Sequence, residues 1–170
     1  MSPPGRPKGE YRRALPEGTP VSVPAPRDTL SLGPLADVLG YHVAKAAVAT
    51  VALFERHVGQ PHALRKVEFS MLMLLAANGP LTPKRLGQAL ALSAPNLSLI
   101  LDRLQARGLL QRQRSEVDRR SQNIVLTAEG AELATTSEAS AKPMEHELLA
   151  RLSPAEHAML IELLRKISPG

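Results

Sequence analysis

Residues 101–130 read LDRLQARGLLQRQRSEVDRRSQNIVLTAEG, and this stretch decides the architecture. Leu101 and Leu104 lie on one stripe of a helix that Arg107-Gly108 closes as a C-cap. Two short β-like runs follow, 109–112 and 123–126, separated by a charged hairpin tip at 113–122. Thr127 then caps a new helix. A helix that leads into an Arg-rich hairpin and out into another helix is a wing in the making.

The residues upstream supply its partner. Thr82-Pro83 opens a short helix ending near Leu90, with Thr as N-cap and Pro in the first turn. Ser93 is a fresh N-cap with Pro95 in the first turn, and Leu97, Ile100, Leu101 and Leu104 form the buried stripe of the helix at about 94–106. Two short helices, a tight turn and a hairpin compose a winged helix-turn-helix. The second helix has the size to lie in a DNA major groove. The hairpin tip can reach the backbone or the minor groove, where Arg meets concentrated negative potential.

Further out, a helix spans about 67–78; its MLMLLAA stretch is apolar nearly all round and predicts burial on more than one side. Apolar residues from Leu35 to Phe54 recur at three- and four-residue steps, predicting one long amphipathic helix over 35–58 that Gly59 and Pro61 end. The helix after Thr127 weakens around 135–140 and is punctuated by Pro143. Ser153-Pro154-Ala155-Glu156 is a capping box that opens a last helix ending near Ile167. Residues 1–34 hold eight of the fifteen prolines and read as a flexible basic arm. The fold class is mainly α with a small β-hairpin wing.

Composition agrees. With 170 residues, 44 % of them hydrophobic, the chain suffices for one packed domain plus an arm. Only 2 % are aromatic, so Leu and Ala, both strong helix formers, must fill the core. No cysteine is present, which excludes disulfides, thiolate zinc sites and Cys nucleophiles. No apolar run is long enough to span a membrane, and the polar, proline-broken N-terminus is no signal peptide, so a cytoplasmic protein is expected. The net charge of +5 is concentrated in 1–13 and 102–120, which suggests a polyanionic partner.

The chain resembles the MarR family of bacterial transcription regulators. The resemblance spans about 35–167 and rests on Leu81-Thr82-Pro83 with Leu86 and Leu90, on Leu101-Asp102-Arg103-Leu104 with Arg107-Gly108-Leu109, on Asp118-Arg119-Arg120, and on Leu126-Thr127 with Gly130. It implies dimerisation helices at 35–66 and 128–167 that interlock in a homodimer, around a winged helix-turn-helix at 67–127. Double-stranded DNA with a pseudo-palindromic operator is the implied partner, its half-sites about 10–10.5 base pairs apart. Asp118 would orient the wing and Arg119 and Arg120 would enter the minor groove. The DNA-binding candidates are Thr82, Ser93, Ala94, Pro95, Asn96, Ser98, Leu99, Arg103, Arg112, Arg114, Asp118, Arg119 and Arg120. Many relatives place Thr or Ser at 96 and Arg near 99. Asn96 can still pair with adenine, but Leu99 is no donor, which shifts affinity toward phosphates and the wing. In the arm, residues 4–9 are similar to an AT-hook, with Pro4 where its first Arg belongs.

The resemblance also implies a small, aromatic, anionic effector, a carboxylate on a ring, in a crevice beside the dimerisation helices. His42, Lys45, His57, His62 and Arg65 are its polar candidates, with Phe69 and Met73 as lining. The five histidines lack the helical spacing with a carboxylate that a dedicated metal site needs, so neither metal nor cofactor is expected. There is no phosphate loop and no nucleophile elbow, which argues against an enzyme. The expected function is a repressor released from its operator by that effector; the alternative is an architectural DNA-binding protein without one.

Overall fold

The computed structural model describes residues 30–114 and 122–168. The arm up to residue 29 and the wing tip, with Asp118, Arg119 and Arg120, lie outside the described residues. Residues up to Val38 form a unit of their own, whose described part is a 3-10 turn at Gly33–Asp37.

The second unit opens with α1 (Leu39–Phe54), four residues later than the spacing predicts. Val38 is extended and separates α1 from the 3-10 turn. The step from Leu35 to Val38 fits a 3-10 turn as well as an α-helix, so periodicity could not see the break.

The other end of the helix also departs from expectation. Gly59 and Pro61 do not end it. The chain continues through a π turn at Glu55–Gly59 into α2 (Gln60–His62), with Gln60 N–H donating to the Glu55 carbonyl. Pro61 has no N–H for the carbonyl four residues back, and its ring needs room against the preceding turn. A widened turn makes that room without stopping the helix. Gly59 lets it pack: a Cβ there would meet Glu55 Oε2 at 2.5 Å. The helix stops at Ala63, which is left-handed with φ 50°.

Helix α3 (Lys66–Asn78) buries Met71, Leu72 and Leu75, and Gly79 ends it at φ 70°. Helix α4 (Pro83–Ala89) is capped by Thr82, whose Oγ1 accepts from Arg85 N–H. Helix α5 (Ala94–Ala106) buries Leu97, Ile100, Leu101 and Leu104, the stripe the sequence predicts. Ser93 stands at its N-cap position, but the hydroxyl makes no capping bond. Strands β1 (Leu110–Arg114) and β2 (Gln122–Leu126) pair antiparallel with Arg112 opposite Ile124, each a little nearer the tip than expected. Leu81 adds a short third rung through two backbone bonds with Ile124. One core joins α3, α4, α5 and the wing, centred on Met71, Leu86, Leu104, Leu110 and Ile124, each under 2 % exposed.

Helix α6 (Ala128–Leu149) starts at Thr127, whose Oγ1 accepts from Gly130 N–H, and runs on through Pro143. Its small residues Ala134 and Ser137 are buried, and Ala134 forms a satellite cluster with Leu64 and Leu72. A second cluster joins Phe54, Val58 and Met144. Helix α7 (Pro154–Ile167) has the expected box: Ser153 Oγ accepts from Glu156 N–H, and the Glu156 carboxylate accepts from Ser153 N–H. Those bonds hold the Glu156 carboxyl below its ordinary value, the backbone bond contributing most. No residue of α7 is buried. Among the described residues, no helix is long and apolar enough to cross a membrane.

Candidate nucleic-acid interface

A helix of 3.6 residues per turn that buries Leu97, Ile100, Leu101 and Leu104 must present the opposite face to solvent. On α5 that face carries Ser93, Ala94, Pro95, Asn96, Ser98 and Leu99, all exposed. Thr82 is half-buried, its hydroxyl spent on capping α4. Beside this face an open hollow lies between α4, α5 and the wing, lined by Lys84, Gln88, Ser98, Arg112 and Gln122 among others. The rest of its lining is apolar, Leu92, Leu97 and Leu101 among it, so the polar groups that a phosphate backbone could meet are Lys84, Gln88, Ser98, Arg112 and Gln122.

The basic residues nominated from sequence divide. Arg114 is exposed on β1. Arg112 bonds Asp102 at 2.5 Å, tying the wing to α5 and neutralising the one acid on the exposed side of that helix. Arg103 points elsewhere: its Nη1 donates to Glu68 Oε1 at 2.8 Å, and that carboxylate is buried. Its second oxygen, Oε2, accepts from Arg65 N–H at 2.8 Å. Arg103 therefore braces α5 against the start of α3. Arg107 likewise donates to the carbonyls of Ala63 and His62.

Two residues that sequence reasoning passed over belong to the candidate surface. Lys84 and Arg85 are exposed in the first turn of α4, and Lys84 lines the hollow. Basic side chains in a helix's first turn oppose its dipole, so their placement there has no helix-stabilising reason. That was the available signal.

The effector candidates are not brought into one place. The axial rise from His42 to His62 is about 30 Å at 1.5 Å per residue, because the helix does not stop at Gly59. Within one chain His42 and Lys45 cannot share a pocket with His62 and Arg65. His42 meets the Tyr41 ring edge-on, and Lys45 Nζ stands 5.8 Å over the same ring. A second group forms where the π turn and α2 meet α6. There His62 Nε2 is 2.8 Å from Ser140 Oγ, and His57 Nε2 is 3.4 Å from Glu147 Oε1, buried and without a hydrogen bond. Glu147 is held from its other side by Arg56. Phe69 packs edge-to-face on Phe54 and, with Met73, borders the satellite cores; Arg65 is exposed at the start of α3.

Comparison with known proteins gives this arrangement relatives. The MarR family model matches residues 64–121, from the turn before α3 to the wing. The HTH-type transcriptional regulator YkoM of Bacillus subtilis is 31 % identical over 130 residues, which cover 74 % of this chain and 82 % of that protein. The HTH-type transcriptional repressor NicR of Pseudomonas putida is 29 % identical over 129 residues, 76 % of this chain and 81 % of NicR. Among solved structures, the transcriptional repressor CouR bound to a 23-mer DNA duplex is similar with a TM-score of 0.76 and 29 % identity, over 84 % of this chain and all of CouR.

Proposed function

Because this chain belongs to the MarR family of DNA-binding transcriptional regulators, we propose that it is a homodimeric repressor which an aromatic carboxylate releases from a pseudo-palindromic operator. The observation that carries the DNA contact is the juxtaposition at the hollow: the exposed face of α5, Lys84 at the start of α4 and Arg112 on the wing border one surface. Helix α5 reads base edges while Lys84, Arg85 and Arg114 hold phosphates, and Arg112, paired with Asp102, fixes the wing beside them. NicR and CouR carry repressor in their names, and repression is carried over from them as part of this proposal.

The dimer of this proposal is supported by what the described residues leave uncovered. Leu39, Val43 and Val48 on α1 and Met159, Leu160, Leu163 and Ile167 on α7 are all exposed. Apolar surface on both ends of the chain is covered when two copies interlock. The effector site of this proposal is the group around His57, His62, Phe69 and Met73, where a carboxylate can take a donor from a histidine and its ring can lie on Phe69. Arg107, bonded to the His62 carbonyl, connects that corner to α5.

An electrophoretic shift on the protein's own upstream DNA tests this reading, with a panel of aromatic carboxylates added. Wild type is expected to bind, and one class of acid to release it. Lys84→Ala with Arg85→Ala should flatten the log–log salt dependence by about 0.9 for each phosphate that is no longer neutralised. His62→Ala should raise the acid concentration needed without changing acid-free affinity. Specific binding that no acid disturbs would overturn the effector half and leave a constitutive DNA-binding protein. An unchanged salt slope would remove α4 from the interface.

A further inference from the structure

Between Ser93 and Asp102 the sequence of α5 contains no Lys and no Arg. The first two basic residues reached along the helix and its C-cap, Arg103 and Arg107, are bonded to Glu68 and to the carbonyls of Ala63 and His62. Arg or Lys supplies the commonest specific contact in DNA, the bidentate pair with guanine O6 and N7. This helix has no such group to offer. What it does expose is Leu99, 64 % accessible, while its neighbours Leu97 and Ile100 are buried at 5 % and 8 %.

A lone exposed leucine is ordinary on a protein surface. Leu99 differs in its place. It lies three residues from Asn96, on the same helical face, one turn inside the N-terminal end that meets base edges. Around it stand Pro95, Asn96 and Ser98, all exposed, and the cations Lys84 and Arg112 border the hollow alongside. The surroundings suit a polyanion, and the centre is apolar. The one apolar group the major groove offers is the C5-methyl of thymine.

We propose that Leu99 is a specificity-determining residue that packs on thymine C5-methyl groups, so that with Asn96 on adenine this helix reads A·T pairs and passes over guanine. The proposal rests on the reading of α5 as the helix in the groove. A methyl-sized group withdrawn from water is worth about a fourfold change in Kd, and about fifteenfold when both half-sites carry it. A leucine here also discriminates against C·G at that pair, where cytosine presents an N4 amine that an alkyl group would desolvate without a bond.

The test starts from a duplex that the full-length wild-type protein enriches from a random library. Each thymine is then replaced in turn by deoxyuridine, symmetrically in both half-sites, which removes only the methyl. Wild type is expected to lose about fifteenfold at one or two positions, and Leu99→Ala to bind the thymine and uracil duplexes equally. Because Leu99 touches no core, Leu99→Ala should keep the wild-type melting temperature and dimer mass. Equal uracil sensitivity in wild type and Leu99→Ala would overturn the assignment, as would a wild type indifferent to every replacement. Failure to enrich any duplex would instead sink the operator reading on which the proposal stands.

Discussion

Glu68 is a carboxylate with almost no access to water, 1 % exposed, yet both its oxygens are satisfied. One accepts from the Arg103 guanidinium and the other from Arg65 N–H. Burying a charge is tolerable only when its partners are in place. Glu68→Ala should therefore destabilise the protein by about 1–2 kcal/mol, because it removes the acceptor of Arg65 N–H and the brace on Arg103, whose guanidinium is exposed enough to be hydrated in its place. Glu68→Gln, which keeps the shape and an acceptor for Arg65 N–H, should cost about half as much. Urea unfolding of the two variants checks this; a Glu68→Ala midpoint equal to wild type would mean that the pair contributes nothing. In the sequence Glu68 reads as an acid in a helix's first turn, favourable there for reasons of dipole alone. Its partner lies 35 residues on, and no local pattern relates them. For the same reason Arg103 was legible as a basic residue of the recognition helix but not as one turned inward.

At the level of elements, the joint between wing and α6 is the tightest close approach in the molecule's described glycines. A Cβ on Gly130 would come 1.8 Å from the Leu109 carbonyl oxygen, a backbone atom that cannot swing aside. Thr127 fastens the same joint, its N–H donating to the Leu109 carbonyl and its hydroxyl to that of Gly108. Gly130→Ala should cost about 3 kcal/mol, an overpacking penalty at the upper end of the usual range. For a chain of this size that is a fall in Tm of roughly 6–12 °C. DNA affinity should fall too, since the wing hangs from this joint. Calorimetry and a gel shift on one preparation read both; an unshifted Tm would show that the joint yields freely. Caps and strands were legible here because their signals are local: Thr82, Thr127, the Ser153 box and the two short β-like runs on either side of the charged tip. The π turn was not. Gly and Pro are helix breakers on average, and only the buried packing around Val58 and Gly59 reveals why the chain carries on.

Across the whole molecule, the feature to explain is a last helix with no buried residue although Met159, Leu160, Ile161, Leu163 and Ile167 punctuate it. Deleting the residues after Ser153 should convert a dimer to a monomer in sedimentation and abolish specific binding, because a single half-site supplies too few contacts. A truncated chain that still sediments as a dimer would place the self-association elsewhere. The apolar periodicity of α7 was plain in the sequence; that nothing among the described residues buries it was not, since a pattern names a face without naming what lies against it. The effector group illustrates the converse. Its residues were legible one by one as polar groups on or near the first helix, but their separation depended on whether that helix stopped at Gly59.

Arg107 grips the His62 and Ala63 carbonyls at the far end of α5 from Asn96. The two ends are about 16 Å apart along the axis at 1.5 Å per residue. The buried stripe of α5 holds it in one core with α3, α4 and the wing, so the helix moves only together with that lobe, and the lobe is the lever. A tilt of roughly 10° about Arg107 swings Asn96 by about 3 Å, several times the spread of lengths over which a hydrogen bond holds. A disturbance at the corner too small to alter any packing there is thus geared up to a displacement that a base edge cannot follow.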